Sequence, residues 1–539
     1  MSRSIKSVLL ATLLFIFFQS CKEKEYLTPL SAASIIPKPV SIVDTDEKFT
    51  LKSGAKILVA KGDKNLFEIA NIFSARLKVL TGFQLPVENA SDDPEKGSIY
   101  LTMEGVDPKV GAEGYEVSIG EDFITINATQ PAGVFMGMQT LLQIMPTAKA
   151  TSDQYALATG IIHDYPTYAW RGSMLDVARH FFSVEDVKRY IDLISYYKMN
   201  ILHLHLSDDQ GWRIEIKSWP NLALHGGSTQ VGGEKGGYYT QEQYKDIVAY
   251  AASRYITVVP EIDLPGHINS ALASYGELNG GTVVPIEGRY KGQQTTQGIL
   301  GAKSKPTDLY TGISVGWSTL RVEKPESFKF VDDVLRELAA ITPGPYLHIG
   351  GDEAHVTKKE DYIVFINRFS EMVKANGKKM IGWEEIAQSN IDENSIAQHW
   401  DKKKYAQQAA EKGAMIIMSP APHVYLDMQY DSTTKLGLHW AAYIEVDDAY
   451  NWDPATQVEG VNKEQILGVE APLWSETLVT MKDIEYMLFP RLPGIAEIGW
   501  SPAEGKSWEE YKVRLGNHAP FMKAFNIGYF PSKKIQWVQ

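Results

Sequence analysis

The sequence predicts an α/β protein of two domains: a (β/α)8 barrel of the TIM class, preceded by a smaller α/β domain with no legible reaction centre. Three observations predict it. Residues 160–539 contain eight short apolar runs, most of them separated by helix-like patterns, the alternation expected of parallel strands with crossover helices. All twelve tryptophans lie at or beyond Trp170 and all twelve histidines at or beyond His163, so aromatic and titratable chemistry is segregated into the later part. No glycine-rich fingerprint follows the first apolar run, which disfavours a doubly wound sheet.

In chain order, the first residues read as an export signal. Arg3 and Lys6 precede an apolar run from Val8 to Phe18, followed by Gln19-Ser20-Cys21. The run is too short to span a bilayer in the usual way, and the pattern is that of a signal peptide. Cys21 is the only cysteine, which excludes an internal disulfide and a cysteine-based zinc site. Its position resembles that of the lipidated cysteine of a bacterial lipoprotein; the alternative is an ordinary signal with an incidental cysteine. Residues 1–21 are thus assigned to a lipoprotein signal and 22–33 to a polar tether. The expected location is the cell envelope, anchored through lipid on the periplasmic or cell-surface face of the outer membrane. Stable anchoring implies several alkyl chains, since one binds only marginally.

The first domain is placed at 34–159. "YEVSI" (115–119) alternates apolar and polar residues as a half-buried strand does, and "FITI" follows a turn at Gly120. Phe135, Met138, Leu142 and Met145 share one helix face, and Ile69, Ile72, Leu77 and Leu80 form a similar stripe. It reads as a support domain.

The second domain, 160–539, supplies the runs "MLDV" (174–177), "ILHLHL" (201–206), "ITVVPEID" (256–263), "YLHIGG" (346–351), "KMIGW" (379–383), "IAQHW" (396–400), "AMIIMS" (414–419) and "ILGVEAPLW" (466–474). Ser183 with Asp186, and Thr240 with Gln243, open helices by the capping-box pattern. Val184, Val187, Ile191 and Ile194 are the expected buried face of the first of these helices.

Active sites of such barrels lie at the C-terminal strand ends. There the sequence places Arg179, Asp208, Asp263 with His267, Asp352 with Glu353, Tyr425 with Asp427, and Trp383, Trp400 and Trp474. Indoles that stack on apolar sugar faces, beside carboxylates and a guanidinium that bond hydroxyls, suit a carbohydrate. Adjacent carboxylates repel, which raises one pKa and makes a proton donor. His203 and His205 share a strand face; metal ligation and polar core packing both fit, and without H-E-x-x-H or a third obvious ligand no metal is expected. No cofactor is called for.

Composition excludes other classes. With 539 residues, 44% hydrophobic and 22% charged, the chain can bury a large core, and its net charge of −13 opposes a nucleic-acid partner. "DEAH" (352–355) matches a helicase motif, but the required phosphate loop is missing: Trp500 stands five residues before Gly505-Lys506-Ser507.

Together, "IIPKPVSI", "RGSMLDVARHF", "HLHLSDDQGWRIEI", "GGYYTQEQYKDIVAYA", "PEIDLPGH", "HIGGDEAH", "GWEEI", "YLDMQY" and "GVEAPLWSET" resemble, in order, the motifs of glycoside hydrolase family 20, the β-N-acetylhexosaminidases. The resemblance implies an exo-acting, retaining enzyme that releases terminal β-linked GlcNAc or GalNAc from N-acetylhexosamine-containing glycans through an oxazolinium intermediate. It implies Glu353 as general acid/base, Asp352 as orienter of the 2-acetamido group, and Tyr425 as donor to the acetamido oxygen. Trp383, Trp400 and Trp474 would wall the sugar, Trp440 would lie toward the aglycone, and Arg179, Asp427 and Glu476 would bind ring hydroxyls. Asp208, Asp263 and His267 would support the acid. Consecutive strand residues point to opposite faces, so Asp352 and Glu353 are expected not to flank one bond; another group must then attack, and the resemblance implies that it is the substrate's own acetamido oxygen. A catalytically idle sugar-binding lipoprotein and a disaccharide-releasing enzyme are the rival readings. Residues 279–306 carry no motif. The sequence names neither the natural glycan nor an oligomeric state.

Overall fold

The computed structural model describes residues 27–91, 94–147, 153–286 and 303–539. Cys21, the signal, residues 22–26 of the tether, and 287–302 of the motif-free stretch lie outside the described residues. Among the described residues no helix is long and apolar enough to cross a membrane.

The first unit is a seven-stranded sheet of β1 (Ser41–Lys52), β2 (Ile57–Val59), β3 (Val87–Asn89), β4 (Ile99–Thr102), β5 (Tyr115–Ile119), β6 (Ile124–Ala128) and β7 (Gln154–Asp164), in the order β1-β7-β5-β6-β4-β2-β3. Helices α1 (Lys64–Thr81) and α2 (Pro131–Ile144) pack on it. β5 buries Tyr115, Val117 and Ile119 and leaves Glu116 and Ser118 half-covered, which is the alternation read from its sequence. Asp63 caps α1 by accepting from the Leu66 amide at 3.0 Å. Ile69, Leu77 and Leu80 are buried, Ile72 partly so.

β7 crosses the expected boundary at 159/160. Histidine and tryptophan usage placed that boundary, whereas backbone pairing with β1 and β5 keeps the chain in the first sheet through Asp164.

Eight strands then close a parallel barrel: β8 (Trp170–Asp176), β9 (Ile201–His205), β10 (Thr257–Glu261), β11 (Tyr346–His348), β12 (Lys379–Trp383), β13 (Ile396–His399), β14 (Met415–Met418) and β15 (Ile466–Leu473). Each apolar run supplies one strand. Helices α3 (Val184–Ser195) and α4 (Gln241–Ala252) begin with the expected capping boxes. On α3, Val187, Ile191 and Ile194 are buried and Val184 is partly exposed at the first turn.

A buried polar joint fastens sheet to barrel. Lys198 Nζ donates to Asp164 at 3.0 Å and to the Tyr115 hydroxyl at 2.7 Å, and lies 4.6 Å from the Trp500 ring. Trp500 Nε1 donates to Asp164 at 2.9 Å, and Arg171 pairs with Glu113 at 2.6 Å.

Candidate active site

A cavity of about 230 Å³ opens at the C-terminal strand ends. Arg179, His267, Asp352, Glu353, Trp400, Tyr425, Asp427, Trp440, Trp474 and Glu476 line it, with Ile313, Val315 and Leu438. Asp208, Asp263 and Trp383 are buried around it rather than on its surface.

Strand β11 stops at His348, and the chain turns through Gly350 (φ 65°) and Gly351 (φ 102°) before reaching the two acids. A Cβ on Gly350 would stand 1.8 Å from Asp263 Oδ1, and the same oxygen accepts from the Gly351 amide at 2.9 Å. The glycines therefore let the backbone close on Asp263. Glu353 (φ 44°) and His267 (φ 49°) also hold left-handed backbone, uncommon for such side chains. Asp352 and Glu353 are thus loop residues and line one cavity, contrary to the opposite-face expectation, which assumed that the strand continued through them.

The electrostatics divide the pair in an unexpected sense. Burial, and then the neighbouring Asp263, push Asp352 well above the usual carboxylate range. Burial likewise pushes Asp263 up to about 8. Burial acts upward on Glu353 too, but the His267 imidazole, with His355 and Arg179, outweighs it and holds Glu353 below its ordinary value. Burial, reinforced by Asp263, thus favours the protonated form of Asp352, which is 8% exposed. Glu353 is the more open of the two, with a side chain 25% exposed.

The walls are aromatic. Trp400 stacks on Tyr425 (centroids 6.4 Å apart, 16° between planes), and Trp440 meets both edge-on at 5.9 Å. Trp474 lies 6.3 Å from Tyr425 and 5.8 Å from Trp383. Trp440 is 55% exposed and forms the outer rim. The Arg179 guanidinium sits 4.8 Å over Trp474 and pairs with Asp208 at 2.8 Å. Arg179 Nε, Asp352 Oδ1 and Asp427 Oδ1 are buried without a hydrogen-bond partner, a costly state that a polyhydroxylated, amide-bearing ligand would relieve. Burial and Glu476 push Asp427 upward.

Below the cavity, His267 Nδ1 is 3.2 Å from Asp208 Oδ1, and its Nε2 is 3.4 Å from Glu353 and 3.8 Å from Asp352. His203 and His205 point into the barrel, where they pair with Glu261 and Glu470. His203–Glu261–His348 and three related groups bring donor atoms within 4.8 Å of one another. In these groups His203 and His205 already face Glu261 as ion pairs, while burial lowers His348 beside them.

Four lining or supporting residues escaped the sequence reading. Ile313, Val315 and Leu438 come from loops without periodicity. Glu261 carried a signal: it stands two residues before Asp263, so strand alternation sends it toward the same side.

The residues at this site fall within matches to known proteins. Residues 32–165 match the model of glycosyl hydrolase family 20, domain 2, and residues 168–362 and 356–503 match glycosyl hydrolase family 20, catalytic domain. The chain is 38% identical over 508 residues to a beta-N-acetylhexosaminidase of Cellulomonas fimi, covering 94% of this chain and 97% of that one. The solved GH20 beta-N-acetylhexosaminidase of Streptomyces coelicolor A3(2) superposes with a TM-score of 0.87 at 44% identity, covering 95% of this chain and 100% of that one. An aspartate-to-alanine mutant of the Streptomyces plicatus beta-hexosaminidase, in complex with product GlcNAc, gives a TM-score of 0.87 at 43% identity over 95% of this chain and 99% of that one.

Proposed function

The chain belongs to glycoside hydrolase family 20, and from that premise we propose that this β-N-acetylhexosaminidase is exo-acting and retaining, and that the substrate's own 2-acetamido oxygen is the nucleophile. The observation that carries the reading is the state of Asp352. A carboxylate that attacks an anomeric carbon must be ionised and open to it. Asp352 is buried and pushed upward, and is better suited to exchanging hydrogen bonds with an amide. The closed floor and the volume of about 230 Å³ suit one sugar ring, which supports release of a terminal monosaccharide.

In this mechanism the ring stacks on Trp474, while Arg179, Asp427 and Glu476 bond its hydroxyls. The acetamido group enters between Trp400, Tyr425 and Asp352. Tyr425 donates to its carbonyl oxygen and aims it at the anomeric carbon. The positive charge that develops as the oxazolinium ring closes favours ionisation of Asp352, which then accepts from the N–H and offsets that charge. Such intramolecular attack can reach effective molarities of about 10⁵–10⁸ M. Glu353 gives its proton to the leaving oxygen, then takes one from the water that opens the ring. Entry of the substrate displaces water from Glu353 and raises its proton affinity toward that task.

Hydrolysis of paired chromogenic substrates tests the reading. The 2-acetamido-2-deoxy-β-glucoside should turn over with retention, while the 2-hydroxy glucoside should be nearly inert. A covalent adduct on any Asp or Glu after incubation with a 2-fluoro sugar, seen by protein mass spectrometry, would overturn substrate assistance.

We also propose that lipid on Cys21 holds the enzyme at the cell envelope; the support is the sole cysteine closing the apolar leader. Radiolabelled fatty acid should enter the wild-type chain and not Cys21→Ser. A wild-type chain that takes up no label would overturn the anchor.

A further inference from the structure

We propose that Glu261 and His205, neither of which borders the sugar cavity, are positioning residues that set the hydrogen-bonding state of the general acid through Asp208 and His267. The inference rests on Glu353 being that acid.

The geometry is a ladder of alternating groups along the barrel axis. His203 Nδ1 is 2.8 Å from Glu470 Oε1, and its Nε2 is 3.0 Å from Glu261 Oε2. Glu261 Oε2 is 2.5 Å from His205 Nδ1, and His205 Nε2 is 2.8 Å from Asp208 Oδ2. Asp208 Oδ1 then faces His267 Nδ1 at 3.2 Å, and His267 Nε2 faces Glu353 at 3.4 Å. Every member below Glu353 is buried.

Proton counting fixes the charges. A ring nitrogen that faces a carboxylate must carry a hydrogen to be satisfied. His203 bonds Glu470 through Nδ1, and its Nε2 lies 3.0 Å from Glu261 without hydrogen-bond geometry. Both nitrogens of His205 bond carboxylates, so its ring is an imidazolium. Burial works against this, but Glu261 and Asp208 outweigh it and raise His205 to about 10. Asp208 is then an anion held by His205 and by Arg179 at 2.8 Å. An anionic Asp208 accepts the Nδ1 hydrogen of His267, and by the same rule Nε2, which faces Glu353, carries the second hydrogen, so Asp208 also holds His267 as an imidazolium aimed at the acid. Without the His205 cation, Asp208 is freer to take a proton, and His267 loses the partner that fixes its orientation.

The pairing follows from strand register. Glu261 is the direct neighbour of His205, and Val259 of His203, on adjoining parallel strands. Residues two apart on β9 thus bracket one carboxylate from β10. Glu261 Oε1 also accepts from Trp383 Nε1 at 2.9 Å. One carboxylate therefore braces both the acid's support and the indole behind Trp474.

Leaving-group dependence tests the proposal, because an acid's proton matters most when the departing alkoxide is a poor leaving group. His205→Gln and Glu261→Gln should each lower kcat on a natural disaccharide on the order of 10- to 100-fold, a part of the ~10²–10⁴ that acid–base assistance supplies. The dinitrophenyl glycoside should lose less than about 3-fold, with KM little changed on either substrate. Equal losses on both substrates would overturn the proposal, since a purely structural role acts on both alike. Glu353→Gln is the control: if it shows no leaving-group dependence, it is the assignment of the acid that fails. Neutron diffraction from wild-type crystals keeps the test open if the variants do not fold. Deuterons on both ring nitrogens of His205 support the ladder, and a bare nitrogen there overturns it.

Discussion

His267 Nε2 stands 3.4 Å from Glu353 Oε2, and both residues hold left-handed backbone, at φ 49° and 44°. Such a conformation costs a non-glycine residue about 1–3 kcal/mol and persists only where its surroundings enforce it. Here both strained residues line the same cavity, and the chemistry predicted below depends on that convergence.

Glu353→Gln should bind GlcNAc as the wild type does but lose about 10²–10⁴-fold in kcat on substrates with poor leaving groups. Isothermal titration and steady-state kinetics on a natural disaccharide separate the two effects. Near-normal disaccharide turnover would remove Glu353 from its role.

Asp352→Asn should nearly abolish turnover, since a neutral amide cannot offset the oxazolinium charge. Its stability should match or exceed the wild type's at pH 7. Burial raises Asp352 in the folded state above its unfolded value, so folding there favours the protonated form. Stability from that carboxyl is fully present below the unfolded pKa and is lost as pH rises through the folded one. The amide has no such loss, so the variant's relative melting temperature should climb with pH. A variant that melts well below the wild type would contradict the assigned state.

Gly350→Ala should damage folding and activity together. The added methyl would stand 1.8 Å from Asp263 Oδ1 at a backbone angle that favours glycine. A loss of more than about 1 kcal/mol in urea unfolding is expected, with kcat falling as Asp263 is displaced from Asp352.

His518 should make the protein acid-sensitive. Its Nε2 bonds the Ser34 carbonyl, its Nδ1 lies 3.3 Å from the Tyr197 hydroxyl, and burial lowers it to about 4. The unfolded chain therefore binds the extra proton between pH 6.5 and 4. The stabilisation, on the order of 3 kcal/mol, is present above pH 6.5 and lost as pH falls through that window. The stability gap between wild type and His518→Gln should narrow from pH 7 to pH 4.5. A gap that stays constant would show that His518 does not titrate there.

Much of this was legible in the sequence where local pattern and tertiary role coincide. β12 runs over the residues of "KMIGW", and Ser183 and Thr240 form the capping boxes that their spacing suggests. β1 was not legible, because its middle, "DTDEK", is exposed and polar and the register with β7 shifts between Asp44 and Lys48, so that the pairing on either side holds the strand. The position of Asp352 and Glu353 was misjudged because hydrogen bonds to the neighbouring strands run as far as Gly350, and only the positive φ angles of Gly350 and Gly351 then turn the chain out of the strand. Ile313 and Val315 gave no signal: they are apolar residues in an aperiodic loop, and only the closed barrel brings them to the cavity. Glu261 shows a different limit. Alternation sends it inward, but its importance depends on partners from β9 and β12, which no local spacing connects.

The joint of Lys198, Asp164, Tyr115 and Trp500 makes the barrel an unlikely fragment to express by itself. Deleting the first sheet would strand an ammonium and an indole N–H in apolar surroundings, an expense that a 2.7 Å bond to Tyr115 and two contacts with Asp164 now offset. Sheet and barrel should therefore melt in a single calorimetric transition, and truncations that begin near Trp170 should be insoluble. The sheet thus acts as a counterion store for the barrel: the charge of Lys198 is offset by Asp164, a residue the barrel does not itself supply.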